Sequence, residues 1–531
     1  MAVCASSRTA GWRARAANRF LAVRGYLKRL VATGAAYQFG DIVAKGVALV
    51  TIPLYTRHVA REGYGAANSL LTSVILASIF LRVGVGEAFI RFYFDDTDPE
   101  RRRRIARTAT ATVVWTTTLA SLLALVFSAQ LSRLILGFDD PELIDCAIVG
   151  LWAFTNLEMA YAQLRVDERA RAYMCASGAN VALTVLFTVG LVVFADQGAR
   201  GLLLGNFGAS AVVVLGLWWL LRRRFSLRAR LSDLRAMLRF GLPTVPADAS
   251  VYGLQVADRL YLFRGYSHAA AGEYAVALQL ATVVFVFVRG FQYAWPPLAY
   301  SIESDSEAGR LYSLVTTYFV LATGVVVAAV ALLGRWIVRL LAAPQYFGAH
   351  AALPWLALAW TLYGLYQVMI VITGRARVTA RNLPAAALGL GANVVLLLVL
   401  VPHGGLGLGI AGAGLALCGA YTVMVAVMHW LTRGLFEVPF QWRRLAKLGA
   451  ILAAVAVSGE LLLPASGPAG FVLRLLWLAL VPALLLLTRF FEPHERAQAR
   501  ALVADARRRV GSSRARHGDL EAYAEDPLKD L

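Results

Sequence analysis

The stretch FGDIVAKGVALVTIPLYTRHVAREGYGAANSLLTSVILASIFLRVGVGEAFIRFYFD, residues 39–95, decides the class of fold. It holds most of one apolar run, near 31–56, and all of a second, near 66–90, on either side of a polar turn. Each run has about the 20 residues that a helix needs to cross a hydrocarbon core of about 30 Å. Neither alternates apolar with polar residues, as the shorter strands of a membrane barrel do. The stretch therefore reads as a helical hairpin for lipid. Inside it, Asp41 and Lys45 stand four residues apart, on one face of the first helix, where they can pair. The second helix carries Arg82, Glu87 and Arg91, the last two with the same spacing.

Working outward, the same kind of run recurs along nearly the whole chain. With 531 residues, 59% of them hydrophobic and only 16% charged, and a mean hydropathy of +0.62, the sequence excludes a water-soluble globule. About fourteen spans follow from the length rule, near 31–56, 66–90, 108–136, 144–165, 172–195, 201–221, 240–263, 273–298, 311–341, 350–373, 383–401, 405–431, 446–463 and 470–489. The expected class is an all-α polytopic membrane protein.

A formal net charge of +20 would point to nucleic acid in a soluble protein, but here the placement of the charges carries the meaning. Basic residues gather in the first 30 residues and in every second loop: Arg101 to Arg104, Arg165 to Arg171, Arg222 to Arg239, Arg375 to Arg381, Arg433 to Lys447 and Arg496 to Arg516. The positive-inside rule makes those loops and both termini cytoplasmic, which requires an even number of spans. No nucleic-acid partner is expected. The first 30 residues lack the compact apolar core and cleavage site of a signal peptide. Cys4, Cys146, Cys175 and Cys418 are scattered, so neither a disulfide framework nor a metal site follows, and His58, His268, His350, His403 and His429 show no ligand spacing. The preference for Arg over Lys is that of a GC-rich bacterial genome, and the expected location is a bacterial inner membrane.

The chain also repeats itself. GANV occurs at 178–181 and again at 391–394, and TRHVAREGYGAANSLLTSV (56–74) matches LFRGYSHAAAGEYAVALQLATVV (262–284). Each copy holds six spans, an even number, so the two halves share one orientation. The expected organisation is a basic N-terminus (1–30), an N-half of six spans (31–221), a basic amphipathic linker (222–239), a C-half of six spans (240–431), two further spans (444–490) and a cytoplasmic tail (491–531).

The opening hairpin resembles that of bacterial polysaccharide-biosynthesis transporters, the oligosaccharide-lipid flippases, whose superfamily also holds the lipid II flippases and the multidrug and toxin extruders. The resemblance continues in DRLYLFRGYSHAAAGEYAVA (258–277), FQYAWPPLAYS (291–301) and GANVVLLLVLVPHGGLGLGIAGAGLAL (391–417), with Asn393, Pro402, Gly412 and Ala413. It covers most of residues 31–431. The resemblance implies two six-helix lobes set as a V around a cavity that opens alternately to the two sides, and no enzyme activity. It implies as substrate an undecaprenyl-diphosphate-linked oligosaccharide, carried across the membrane for cell-surface polysaccharide assembly, with membrane lipids and polysaccharide polymerase or ligase machinery as partners. A lipid II flippase and a cation-coupled multidrug extruder are the alternatives.

Ionisable groups inside a bilayer cost several kcal/mol unless they meet a partner or a wet cavity, so each is a candidate for function. Lys45, Arg82, Arg91 and Arg289 are the candidates for neutralising a diphosphate, for which Arg supplies forked donors. Asp41, Glu87, Asp248 and Asp258 are the candidates for binding sugar hydroxyls or carrying a coupling H+ or Na+; no other cofactor is expected. Plainer readings stand beside these. Asp41 with Lys45 reads equally as a packing ion pair, and Arg91, Asp258 and Arg259 lie near span ends, where snorkelling to the interface accounts for them. Gly407-x-Gly409-x-x-Gly412 fits a dinucleotide motif but lies in an apolar span, where small residues let helices approach. The DTD at 96–98 reads as a helix N-cap.

Overall fold

The computed structural model describes residues 43–491, except 44, 96–97, 168, 223–224, 301, 303, 377, 379–380 and 436. Among the described residues there is helix and no strand. Twelve helices among the described residues are long and apolar enough to cross a membrane. The other two expected spans are α1, helical over 45–58, and α10, Val245–Tyr261, prolonged by a π turn through Leu262–Tyr266.

The N-half continues from α1 through α2 (Arg61–Leu81), α3 (Val85–Asp95), α4 (Pro99–Val126), the short α5 (Ser128–Ile135), α6 (Pro141–Val166), α7 (Ala170–Val189, ending in a π turn to Phe194) and α8 (Gly198–Leu220). After the linker helix α9 (Leu231–Gly241), the C-half runs from α10 through α11 (His268–Tyr300), α12 (Asp305–Leu341), α13 (Leu353–Arg375), α14 (Asn382–Leu400) and α15 (Gly409–Thr432). Helix starts follow local chemistry. Asp98 caps α4 by accepting from the amides of Glu100 and Arg101, with Pro99 at the first helical position, so the last residue of the DTD segment is a cap; the other two lie outside the described residues. Asp140 caps α6 in the same way. Inside the helices, buried hydroxyls such as those of Thr110, Thr316 and Thr323 donate back to the carbonyl four residues earlier. That satisfies them where no water is at hand.

The repeat is visible in the packing: α8 lies against α6 and α7 as α15 lies against α13 and α14, and α4 meets α6 as α12 meets α13. The halves join where α2 packs on α10 and α11. The chain divides at Phe440 and Gln441 into two compact units. The second unit is a hairpin of α16 (Trp442–Leu462) with α17 (Gly467–Leu478) and α18 (Leu480–Leu487). Arg474 is fully buried there and donates to the carbonyls of Pro464 and Leu463 and to Glu460. The charge tethers the turn of the hairpin.

Two expectations change. The second span is not one continuous helix: it breaks at Arg82–Gly84, where Val83 and Gly84 take φ of 46° and 69°. The cause is a close approach between the halves, because a Cβ added at Gly84 would fall on the backbone of Gly241, and one at Gly241 on that of Gly84. A β-branched residue at positive φ is strained by about 1–3 kcal/mol and persists only where its surroundings fix it. Gly241→Ala is expected to destabilise the fold by about 1–3 kcal/mol through overpacking, read as a lower unfolding midpoint in detergent. The glycine motif also divides. Gly407 and Gly409 have φ of 66° and 53° and shape the turn between α14 and α15, whereas a Cβ on Gly412 would press on the carbonyl of Leu400 at 2.7 Å, so that glycine does serve close helix contact.

Candidate functional site

The loops sort to two ends of the first unit. At one, called here the turn end, α1 runs into α2, α10 into α11 and α12 into α13. Tyr266 stacks on His403, and Phe138 packs against Phe263 and His268. At the other, the linker end, Arg104 pairs with Asp233 of α9 at 3.0 Å, and the Trp115 indole donates to the Leu227 carbonyl.

The turn end is shut. Arg61 of α2 pairs with Glu273 of α11 at 2.9 Å, across the two halves. A 3-10 stretch, Pro344–Ala351, folds over the end of α1. The Tyr346 hydroxyl donates to the Val59 carbonyl at 2.9 Å, the Gln345 amide to the Thr56 carbonyl at 3.0 Å, and the Ala343 amide to Thr56 Oγ1 at 3.1 Å. Glycines permit the contact: a Cβ on Gly272 would strike the Arg61 carbonyl, and one on Gly65 would lie 2.7 Å from the His268 carbonyl.

The charged residues expected to line a cavity lie toward the linker end. Arg82 caps α2 with its Nε 3.4 Å from the Ser78 carbonyl. Glu87 is exposed in the first turn of α3, and Asp248 in the first turn of α10. Asp248 lies within electrostatic reach of both Glu87 and Arg82. Lys45 is half-buried on α1. Arg289 is half-buried on α11, its guanidinium 5.1 Å from the Phe285 ring centre. Arg91 is exposed, 4.4 Å over the ring of Phe240, and so ties α3 to α9 through a cation–π contact. Asp41, and with it the pairing to Lys45, lies outside the described residues.

Asp258 departs from expectation. It does not snorkel at a span end: it is 1% exposed, because the π turn carries its helix on to Tyr266. Asn393 of α14 donates to one carboxylate oxygen at 2.7 Å, and Tyr274 of α11 to the other at 2.9 Å. Asn393 Oδ1 is buried without a hydrogen bond. Arg259, also expected to snorkel, is half-buried with its Nε buried and unbonded, within electrostatic reach of Tyr64 and Asp258. Asn393 and Tyr274 each lie in one of the two repeated segments. That repetition is the sequence signal that could have joined them to Asp258.

A third polar region lies in the N-half. A cavity of about 280 Å3 opens among α1, α2, α7 and α8, with Gln279 of α11 contributing from the other half. Asn68, Asn180 and Asn206 line it together with Tyr55 and Tyr64.

A family model described as "Polysaccharide biosynthesis protein" matches residues 54–351, more than half of the chain. The chain belongs to that family. The polysaccharide biosynthesis family match is joined by a relative from Haemophilus influenzae, "Lsg locus putative protein 1", 23% identical over 276 residues. That alignment takes in 50% of this chain and 64% of the relative, so the chain spans less than two thirds of the curated relative it matches. Among solved structures, "Lipid II flippase MurJ, inward closed conformation" aligns with a TM-score of 0.67 and 12% identity, over 85% of this chain and 97% of the other. An inward-facing multidrug resistance transporter of the same exporter superfamily aligns at 0.59 and 16% identity, over 75% and 95%. This polysaccharide biosynthesis protein thus has the fold of that superfamily, and the solved proteins it resembles are transporters and flippases.

Proposed function

We propose that this family member moves a polyprenyl-diphosphate-linked oligosaccharide from the cytoplasmic to the outer leaflet of a bacterial inner membrane by alternating access. The observation that carries the reading is the asymmetry of the seam between halves: a turn end latched by Arg61–Glu273 and the Pro344–Ala351 stretch, and cations toward the other end. The basic loops belong to the linker end, so the positive-inside rule turns that end to the cytoplasm and the latched end outward. Lys45, Arg82 and Arg289 take the diphosphate, Glu87 and Asp248 position the first sugar hydroxyls, and the isoprenoid tail stays in lipid between the halves. Asp258 carries the coupling ion, because its hydrogen bonds come from neutral donors, with the Arg259 cation only in electrostatic reach, and a buried carboxylate so held favours uptake of a proton or Na+; the bare Asn393 Oδ1 is a ready further ligand for Na+.

The test is translocation of a fluorescent polyprenyl-diphosphate oligosaccharide in proteoliposomes, with efflux of a cationic dye followed in parallel. Glycan-lipid movement without dye efflux is expected. Arg82→Gln should slow it about 10–100-fold, the loss of a charge-assisted hydrogen bond worth about 1.5–3 kcal/mol. Dye efflux alone would move the protein to the drug extruders and make the carboxylates the site.

A further inference from the structure

The N-half cavity is the repeat counterpart of the Asp258 cluster, and the two have diverged in a way that assigns a ligand. Asn180 and Asn393 occupy the same place in the two GANV copies, and Tyr64 and Tyr274 the same place in the other repeated segment. In the C-half this asparagine and tyrosine close on a carboxylate. In the N-half the corresponding helix, α1, presents Thr51 and Tyr55, and the space is open. Asn180 is there bonded by Ser210 at 3.4 Å.

Nine of the fifteen described lining residues carry an amide or hydroxyl, and none is charged at neutral pH. A diphosphate would meet no cation in this cavity. A metal ion would meet no carboxylate, and the described residues hold no cluster able to bind one. An isoprenoid tail would strand amides that need partners. The ligand that fits is neutral and rich in hydroxyls, with an apolar ring face for the tyrosines. The volume lies near the lower end of small-molecule sites, which begin at about 300 Å3.

We infer that this cavity binds a single neutral sugar ring of the transported glycan. The inference rests on the transport reading for the source of the sugar. Asn68 stands fourteen residues before Arg82 on α2, about 21 Å of helix at 1.5 Å per residue, so the ring it takes is a distal unit and not the one joined to the diphosphate. Gln279 enters from the C-half, so occupancy of the cavity bears on both halves at once.

The full-length protein in nanodiscs tests this by saturation-transfer NMR with methyl glycosides of glucose, galactose, rhamnose and N-acetylglucosamine at millimolar concentration, beside separate binding of bare polyprenyl diphosphate. At least one glycoside should receive saturation on its ring protons, and Asn206→Leu and Thr184→Val should each reduce the effect about tenfold or more. The same variants should bind the bare lipid as wild type does, which also reports that they fold, while Arg82→Gln loses the bare lipid and keeps the sugar. Absence of saturation for every glycoside, or saturation that survives both cavity variants, overturns the inference. Failure of the bare lipid to bind, with sugar binding intact, overturns the transport reading and leaves the cavity as a sugar site.

Discussion

Gly272→Val is expected to lower glycan-lipid translocation about 100-fold without unfolding the protein. At the turn end the backbone of α11 touches that of α2 through Gly272 and Gly65. A side chain at Gly272 lands on the Arg61 carbonyl, so the halves can meet there only by separating the Arg61–Glu273 pair and lifting the end of α1 from Tyr346 and Gln345. Overpacking of this kind costs about 3 kcal/mol, which shifts the ratio of shut to open states about 100-fold. The variant is thereby held open at the turn end. The measurement is labelling of a cysteine placed at Asn68, in a background with native cysteines replaced by Ser, using a membrane-impermeant maleimide added from outside. Fast labelling of Gly272→Val against slow labelling of the parent is the expected result; equal rates would remove the latch from the mechanism.

The second large effect belongs to Asp258→Asn. Asparagine keeps the size of the side chain and an acceptor for the Tyr274 hydroxyl, so the helices stay packed. What disappears is the only described charge that α10, α11 and α14 enclose with near-complete burial. On the coupling role proposed above, the variant should exchange substrate but fail to draw on an ion gradient. A tenfold gradient of one coupled ion is worth about 1.4 kcal/mol, or tenfold in accumulation. Proteoliposomes with an imposed pH or Na+ gradient should show that factor for the parent and none for the variant, while exchange without a gradient continues. Accumulation that still follows the gradient in Asp258→Asn would place coupling elsewhere.

Much of this architecture is legible in the sequence because lipid leaves few choices. Run length and hydropathy mark the spans, the GANV copies mark the two halves, and Asp98 before Pro99 marks where α4 starts. The break in the second span is not legible. Val83 is an ordinary helix residue, and what forces it to positive φ is Gly241, far along the chain. Asp258 misleads for a local reason: the apolar run ends near residue 263, yet a π turn extends the helix to Tyr266 and the carboxylate is buried under Tyr274 and Asn393. Arg474 escapes notice because two of its acceptors are carbonyls of the turn, which composition does not record, and its carboxylate partner Glu460 stands fourteen residues away. The cavity of the N-half is hard to read from the sequence beyond Asn180 of the GANV copy, since its polarity comes from amides on four helices and hydroxyls that bring in a fifth.

The two ends of the seam are joined by bonds of different kinds. At the turn end an ion pair and four directional hydrogen bonds, from Tyr346, Gln345 and the Ala343 amide, must be stripped before the halves part; at the other end the bare backbones of Gly84 and Gly241 touch, and the side-chain ties to α9 are the Arg104–Asp233 pair and the Arg91–Phe240 contact. The latched side carries more bonds to break, and in the proposed transport cycle it would act as a normally closed valve. If that side faces outward, as proposed above, an idle carrier would offer ions no continuous path, and the membrane's stored gradient would not leak away through a protein waiting for its cargo.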